Sequence, residues 1–194
     1  MQTAIPGYRM GDPSLPPSTL DDRAFEQLCQ AALFSDEDRA ALREAREILE
    51  PRIEELLDVW YGFVGSHPFL LHYFSTPQGP HEEYLARVRA RFGQWVRDVL
   101  SADYGPAWRA YQAEIGRRHA AAKNRTDGVE GAPEVVHFRY VVALISPITA
   151  TVRPFLAQGA RDSEHLERMY QAWLKAVILC VALWSEAYVR EGWF

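Results

Sequence analysis

From Pro51 onward the apolar residues Ile53, Leu56, Leu57, Trp60, Tyr61 and Val64 recur at steps of three and four, the spacing that gathers side chains on one face of a helix. The pattern stops at Gly65-Ser66-His67-Pro68. After a turn from Phe69 to Phe74 and a breaker of Pro77, Gly79 and Pro80, it resumes with Leu85, Val88, Phe92, Trp95 or Val96, and Val99. Pro106 suits the first turn of a third such helix, whose face collects Trp108, Tyr111, Ile115, His119 and Ala122 before a polar loop from Lys123 to Gly131. Two longer helices are predicted, from Pro133 to Leu156 with breaks at Pro147 and Pro154, and from Ser163 to Arg190. No segment alternates with the period of two that a half-buried strand requires. The chain is therefore read as all-α.

The N-terminal part is built differently. Residues 1–17 contain Pro6, Gly7, Gly11, Pro13, Pro16 and Pro17, which sustain no helix, yet Ile5, Tyr8 and Leu15 are apolar enough to lie over something. An ordered covering arm is predicted. Ser18 or Thr19 is placed to cap a short helix through Cys29, and Ser35 with Asp38 has the pattern of a reciprocal cap on the next helix. Pro51 then marks a break or a first turn.

With 194 residues, 48% of them hydrophobic, one core and one domain over 1–194 are expected. A formal charge of -5 gives no general attraction to nucleic acid or an anionic membrane, and of the 21 basic residues only Lys123 and Lys175 are lysines. Cys29 and Cys180 lie far apart and outside any metal-ligand spacing, so neither a disulfide framework nor a zinc site is implied. Met1 is not followed by a basic and then apolar leader, and the run Ala176 to Trp184 is too short to span a bilayer. A soluble cytoplasmic protein is expected. In Val141–Ile145 and Ala176–Trp184 apolar residues nearly encircle the helix, which predicts burial on two sides and a homodimer built from the last two long helices. The alternative is that the second face packs on the N-terminal helix.

Six histidines are present. His165 and His81 sit among charged residues and are read as solvated, His67 ends a helix, and His72 is read as a core residue bonded to backbone. His119 differs because Ile115 and Ala122 lie one turn away and Trp108 and Tyr111 further along. A histidine on an apolar stripe is more often a satisfied core residue than a ligand, and aromatics such as Trp60 and Tyr61 are more often packing than pocket. The functional reading is a neutral imidazole that completes a five-coordinate haem iron, with the Tyr61 hydroxyl aimed into a dry pocket. Arg87, Arg89 and Arg91 read as a solvated face, with Arg91 beside Phe92 also placed to reach a carboxylate of such a group. Glu134 and His137 make one Glu-x-x-His pair, but the second pair of a di-iron bundle is absent. There is no HExxH, no phosphate-binding glycine loop and no nucleophile elbow.

Several blocks in order resemble the protoglobin family over nearly the whole chain: Ile5-Pro6-Gly7-Tyr8, Trp60-Tyr61-Gly62-Phe63-Val64, Arg91-Phe92-Gly93-Gln94-Trp95, Ile115 to His119, Asn124-Arg125-Thr126-Asp127-Gly128, Pro147 to Thr151 and Met169 to Trp173. The resemblance implies a globin fold, a helical sandwich with an extra N-terminal helix and a covering arm, around haem b (iron protoporphyrin IX). It places His119 as the proximal iron ligand and Trp60, Tyr61 and Phe92 in the distal pocket. Val88 stands where many globins carry a distal histidine, and Leu144 stands where family members place an aromatic. With Ile148 these residues would line the pocket, and Arg91 would serve a propionate. The implied function is reversible binding of O2, CO and NO as carrier or sensor, with an output domain, if any, on a separate partner. Redox, isomerisation or, in an engineered pocket, carbene-transfer chemistry is the enzymatic alternative, and a cofactor-free helical bundle is the third.

Overall fold

Asp21 accepts a hydrogen bond from the Ala24 amide and starts helix α1, Asp22–Ala31. The cap predicted at Ser18 or Thr19 thus falls at Asp21, whose carboxylate satisfies a first-turn donor and also meets the positive end of the helix dipole. The computed structural model describes residues 4–190, 192 and 194. Among them follow α2 (Asp36–Leu49), α3 (Ile53–Gly65), the short α4 (Pro68–Leu71), α5 (Glu82–Ser101), α6 (Pro106–His119), α7 (Phe138–Ala143), α8 (Ile145–Gly159) and α9 (Ser163–Ser185). The cap read at Ser35 is present in full, with the Ser35 amide 2.8 Å from the Asp38 carboxylate. Pro51 lies in a single 3-10 turn between α2 and α3.

Three expectations about elements change. The chain makes one small hairpin, Ser75–Thr76 against Gly79–Pro80, with Thr76 opposite Gly79. The stretch after Pro133 is not helical until Phe138, because the Val136 amide bonds the His119 carbonyl at 2.8 Å and draws this segment across the end of α6. That helix stops at His119, so Ala122 lies beyond it. The segment Phe138–Gly159 has the length and composition to cross a bilayer, at a mean hydropathy of 1.5, but α7 and α8 are separated at Leu144 and both pack on α9.

Helix α9 is the centre of the packing, in contact with α2, α6 and α8. Met169, Ala172, Trp173, Ala176, Leu179, Cys180 and Leu183 are all completely buried. The apolar surplus of Ala176–Trp184 is therefore covered within the chain, largely by α2 and α6, leaving only Ile178 of that run exposed. Lys175 on α9 pairs with Asp38 on α2 at 2.9 Å. His165, read as solvated from its charged neighbours, is buried one turn before Met169, its Nε2 2.6 Å from Glu44 and its Nδ1 accepting from the Arg161 amide. His72 moves the opposite way: the turn at His72–Phe74 buries Tyr73 and leaves the imidazole exposed.

Residues 4–17 form the arm, and four contacts hold it. The Tyr8 hydroxyl donates to the Asp98 carboxylate, 3.0 Å from either oxygen, and the Tyr8 ring meets Tyr111 edge-on at 5.1 Å. Arg118 donates to the Gly7 carbonyl at 2.6 Å and Arg91 to the Pro6 carbonyl at 2.9 Å. Gly7 has φ +77, and a Cβ there would stand 2.7 Å from the Thr126 methyl, so no other residue fits.

Gly116 sets the approach of α6 to α9. A Cβ at this position would lie 2.7 Å from the Trp184 carbonyl oxygen and 2.8 Å from its Cα, both of them backbone. Gly116→Ala is expected to destabilise the fold by about 1–3 kcal/mol through forced separation of the helices. Gly62 has nothing within 4 Å of its Cβ position, and Gly62→Ala should instead stabilise by up to about 1 kcal/mol from helix propensity. Urea midpoints at unchanged slope measure both.

Candidate functional site

A cavity of about 220 Å³, counted as room for the centres of water molecules, opens between α3, α5, α6, α8 and the loop after His119. Trp60, Tyr61, Val88, Arg91, Phe92, His119, Leu144 and Ile148 all line it. Residues separated by up to half the chain thus meet because the stripes of α3, α5 and α6 converge and α8 closes the space between them.

His119 is the last residue of α6, and its Nδ1 stands 2.9 Å from the Ile115 carbonyl one turn back. That bond assigns the proton to Nδ1 and leaves Nε2, which makes no hydrogen bond among the described residues, as a lone pair beside the cavity. Burial holds the imidazole below its ordinary pKa; the Ile115 carbonyl partly opposes this, and the Lys123 charge adds to the lowering. The ring is neutral near pH 7, as a metal ligand must be. Trp184 stacks on it at 5.0 Å and 17°.

On α3, Trp60 is buried and lies 5.7 Å from the Phe92 ring, while Tyr61 meets the same ring edge-on at 6.3 Å. The Tyr61 hydroxyl has no hydrogen-bond partner among the described residues. Burial raises its pKa strongly, against a lowering by Arg89 and Arg91, so it remains a protonated donor.

The polar end of the cavity differs from expectation. Arg91 lines it, but its guanidinium is held in a two-pronged pair with Asp127, at 2.6 and 3.0 Å, while also tethering the arm. Arg118 is similarly paired with Glu114 at 2.9 Å. Lys123, which the sequence placed in a polar loop, is buried. Its ammonium donates to the Tyr73 carbonyl at 2.7 Å and to Asn124 Oδ1 at 3.0 Å, and lies 5.2 Å from the Tyr84 ring centre. It has no carboxylate partner among the described residues. Nothing local announced this role, since the loop's apolar members Val129 and Ala132 pack on Tyr84 only after the chain has folded back.

These features fit an iron porphyrin. One neutral imidazole is ready to ligate, apolar and aromatic walls suit a flat macrocycle, and the cations Arg118, Lys123 and Arg91 on the same lining would meet its carboxylates. Trp184, Gln112, Arg118 and Lys123 are the members that sequence reasoning missed. Trp184 reaches His119 only because α6 and α9 cross, whereas Gln112 and Arg118 share α6 with it and are marked out by partners on other elements.

The helical sandwich is a globin fold. It is similar to the solved globin domain of the Geobacter sulfurreducens globin-coupled sensor, with a TM-score of 0.65 and 16% sequence identity over 85% of this chain and 97% of that one. No curated protein matches the sequence. Residues 21–193 match the sequence model of the Protoglobin family, and the chain belongs to that family.

The Lys123 ammonium provides a pH test on the chain without cofactor. Burial pulls its pKa from the ordinary 10.5 down to about 8. Between these values the folded state has released a proton that the unfolded state still binds, so stability from this group rises with pH. Lys123→Met removes that rise. Wild-type unfolding free energy relative to the variant should increase by about 1–3 kcal/mol from the lower to the upper value, and a constant difference would show that the ammonium is not strained by burial.

Proposed function

We propose that this protoglobin binds haem b in the cavity, with His119 as the protein ligand to iron, and reversibly binds O2, CO and NO as a carrier or sensor. The observation that carries the reading is the His119 tautomer: Nδ1 is committed to the Ile115 carbonyl and Nε2 is left to the cavity. When bound, haem would supply the iron that takes up the gas. The chain's own contribution is to fix the imidazole, to exclude water with Trp60, Phe92, Leu144 and Ile148, and to offer the Tyr61 proton. Arg118 and Lys123 would hold the propionates, with Arg91 kept largely by Asp127. A homodimer through α8 and α9 would draw on Ile178 and, from α7, Val142, which remain exposed.

Supplying haem to the purified chain should give a Soret band. In His119→Gly, haem should be lost, or be retained with its ferrous spectrum restored by added imidazole. An unchanged five-coordinate ferrous spectrum in that variant without imidazole would overturn the ligand assignment.

O2 polarises toward negative charge as a ligand and CO does so little, so a hydroxyl donor favours O2. A hydrogen bond to a charged partner contributes about 1.5–3 kcal/mol, and about 1.4 kcal/mol is tenfold. Tyr61→Phe is expected to raise the O2 dissociation rate roughly ten- to a hundredfold, with little change for CO. Stopped-flow release of each gas measures this; equal small effects on both would remove Tyr61 from contact with the ligand.

A further inference from the structure

Trp184 and Trp95 form an arrangement that gas binding does not require. Trp184 lies flat on the His119 imidazole at 5.0 Å and 17°. Its indole Nε1 donates to Gln112 Oε1 at 2.9 Å, and Trp95 Nε1 donates to the same oxygen at 3.3 Å. The two indoles are 5.7 Å apart, and Trp95 continues to Trp173 at 5.8 Å. Gln112 is completely buried, and its Nε2 has no partner among the described residues. An indole N–H can only donate, so turning the amide over would set its NH2 against two donors; the oxygen must face the rings.

Two consequences follow. The carbonyl dipole puts its negative end on both indoles in a poorly screened interior, which favours positive charge on them. An amide oxygen does not take up the indole proton, so an oxidised ring stays a cation and stores charge. By contrast, the Nε1 atoms of Trp108 and Trp173 are buried with no acceptor among the described residues.

We infer that Trp184, with Trp95 behind it, is a one-electron donor to the His119 side of the haem site, giving the protein a peroxidatic activity toward hydroperoxides. The inference rests on the haem reading above. Reduction of a hydroperoxide ROOH to ROH and water takes two electrons and two protons. Trp184 gives one electron and becomes an indole radical cation, while the haem iron, when bound, would supply the other and water the two protons. Two molecules of a phenol reductant then return one electron and one proton each and leave as phenoxyl radicals. Gln112 is a positioning residue, acting through the two indoles.

The test uses haem-loaded protein mixed with hydrogen peroxide and frozen within seconds for electron paramagnetic resonance. A radical signal is expected that narrows when the protein carries ring-deuterated tryptophan and is unchanged by ring-deuterated tyrosine. This labelling needs no variant. Trp184→Phe, which keeps an aromatic ring against His119, should lose the signal, with the Soret band checking that haem is loaded. Peroxide consumption without a tryptophan radical overturns the inference and leaves the haem reading standing. So does a tyrosine radical lost in Tyr73→Phe, which would assign oxidation to the Tyr73 hydroxyl bonded to His137 Nδ1 at 2.6 Å. Absence of a Soret band in wild type overturns both readings.

Discussion

At Gly116 the missing side chain lets α6 lie against the backbone of α9, and the rest of the site depends on that approach. A side chain here would push the Trp184 backbone away. Closeness at this point brings the Trp184 ring onto His119 and the Trp184 N–H onto Gln112, so the imidazole is gripped from the ring face as well as through Nδ1. A ligand ring held in both tilt and rotation needs little reorganisation when a metal arrives.

The opposite end of the cavity is organised by charge. Arg91 and Arg118 each serve two purposes, pairing with Asp127 or Glu114 while donating to the carbonyls of Pro6 and Gly7. The arm is therefore tied to the same guanidinium groups that border the cavity, and Tyr8 fastens it further to Asp98. Asp98 is itself buried, which raises its pKa, and the donors Gln94 and Tyr8 act against that shift. An arm without secondary structure is thus kept in place through side-chain contacts with α5 and α6.

Much of the site was legible in the chain. The stripes containing Trp60 and Tyr61, Val88 and Phe92, and Ile115 and His119 each lie within one helix, and local periodicity identifies which face is buried. Arg91 stood out by its place beside Phe92, family resemblance added Leu144 and Ile148, and all three border the same cavity. Less legible was whatever depends on partners distant in sequence. His165 reads as solvated because its neighbours are charged, yet Glu44 waits across the α2 and α9 contact. Lys123 reads as a loop lysine because its surroundings are polar in sequence, while the carbonyl it bonds belongs to Tyr73.

The sequence by itself determined the helices, their proline and glycine boundaries, and the aromatic and histidine faces, since these follow from backbone sterics and the helical repeat within a few turns. Tertiary structure decided which faces are shared. It spent the second apolar face of α9 inside the chain, ended α6 at His119 by giving its carbonyl to the Val136 amide, and set the buried Lys123 ammonium on a carbonyl rather than on a carboxylate beside the cavity. Those outcomes turn on helix approach distances and on where orphan backbone donors find acceptors, and neither is written in the spacing of residues along the chain.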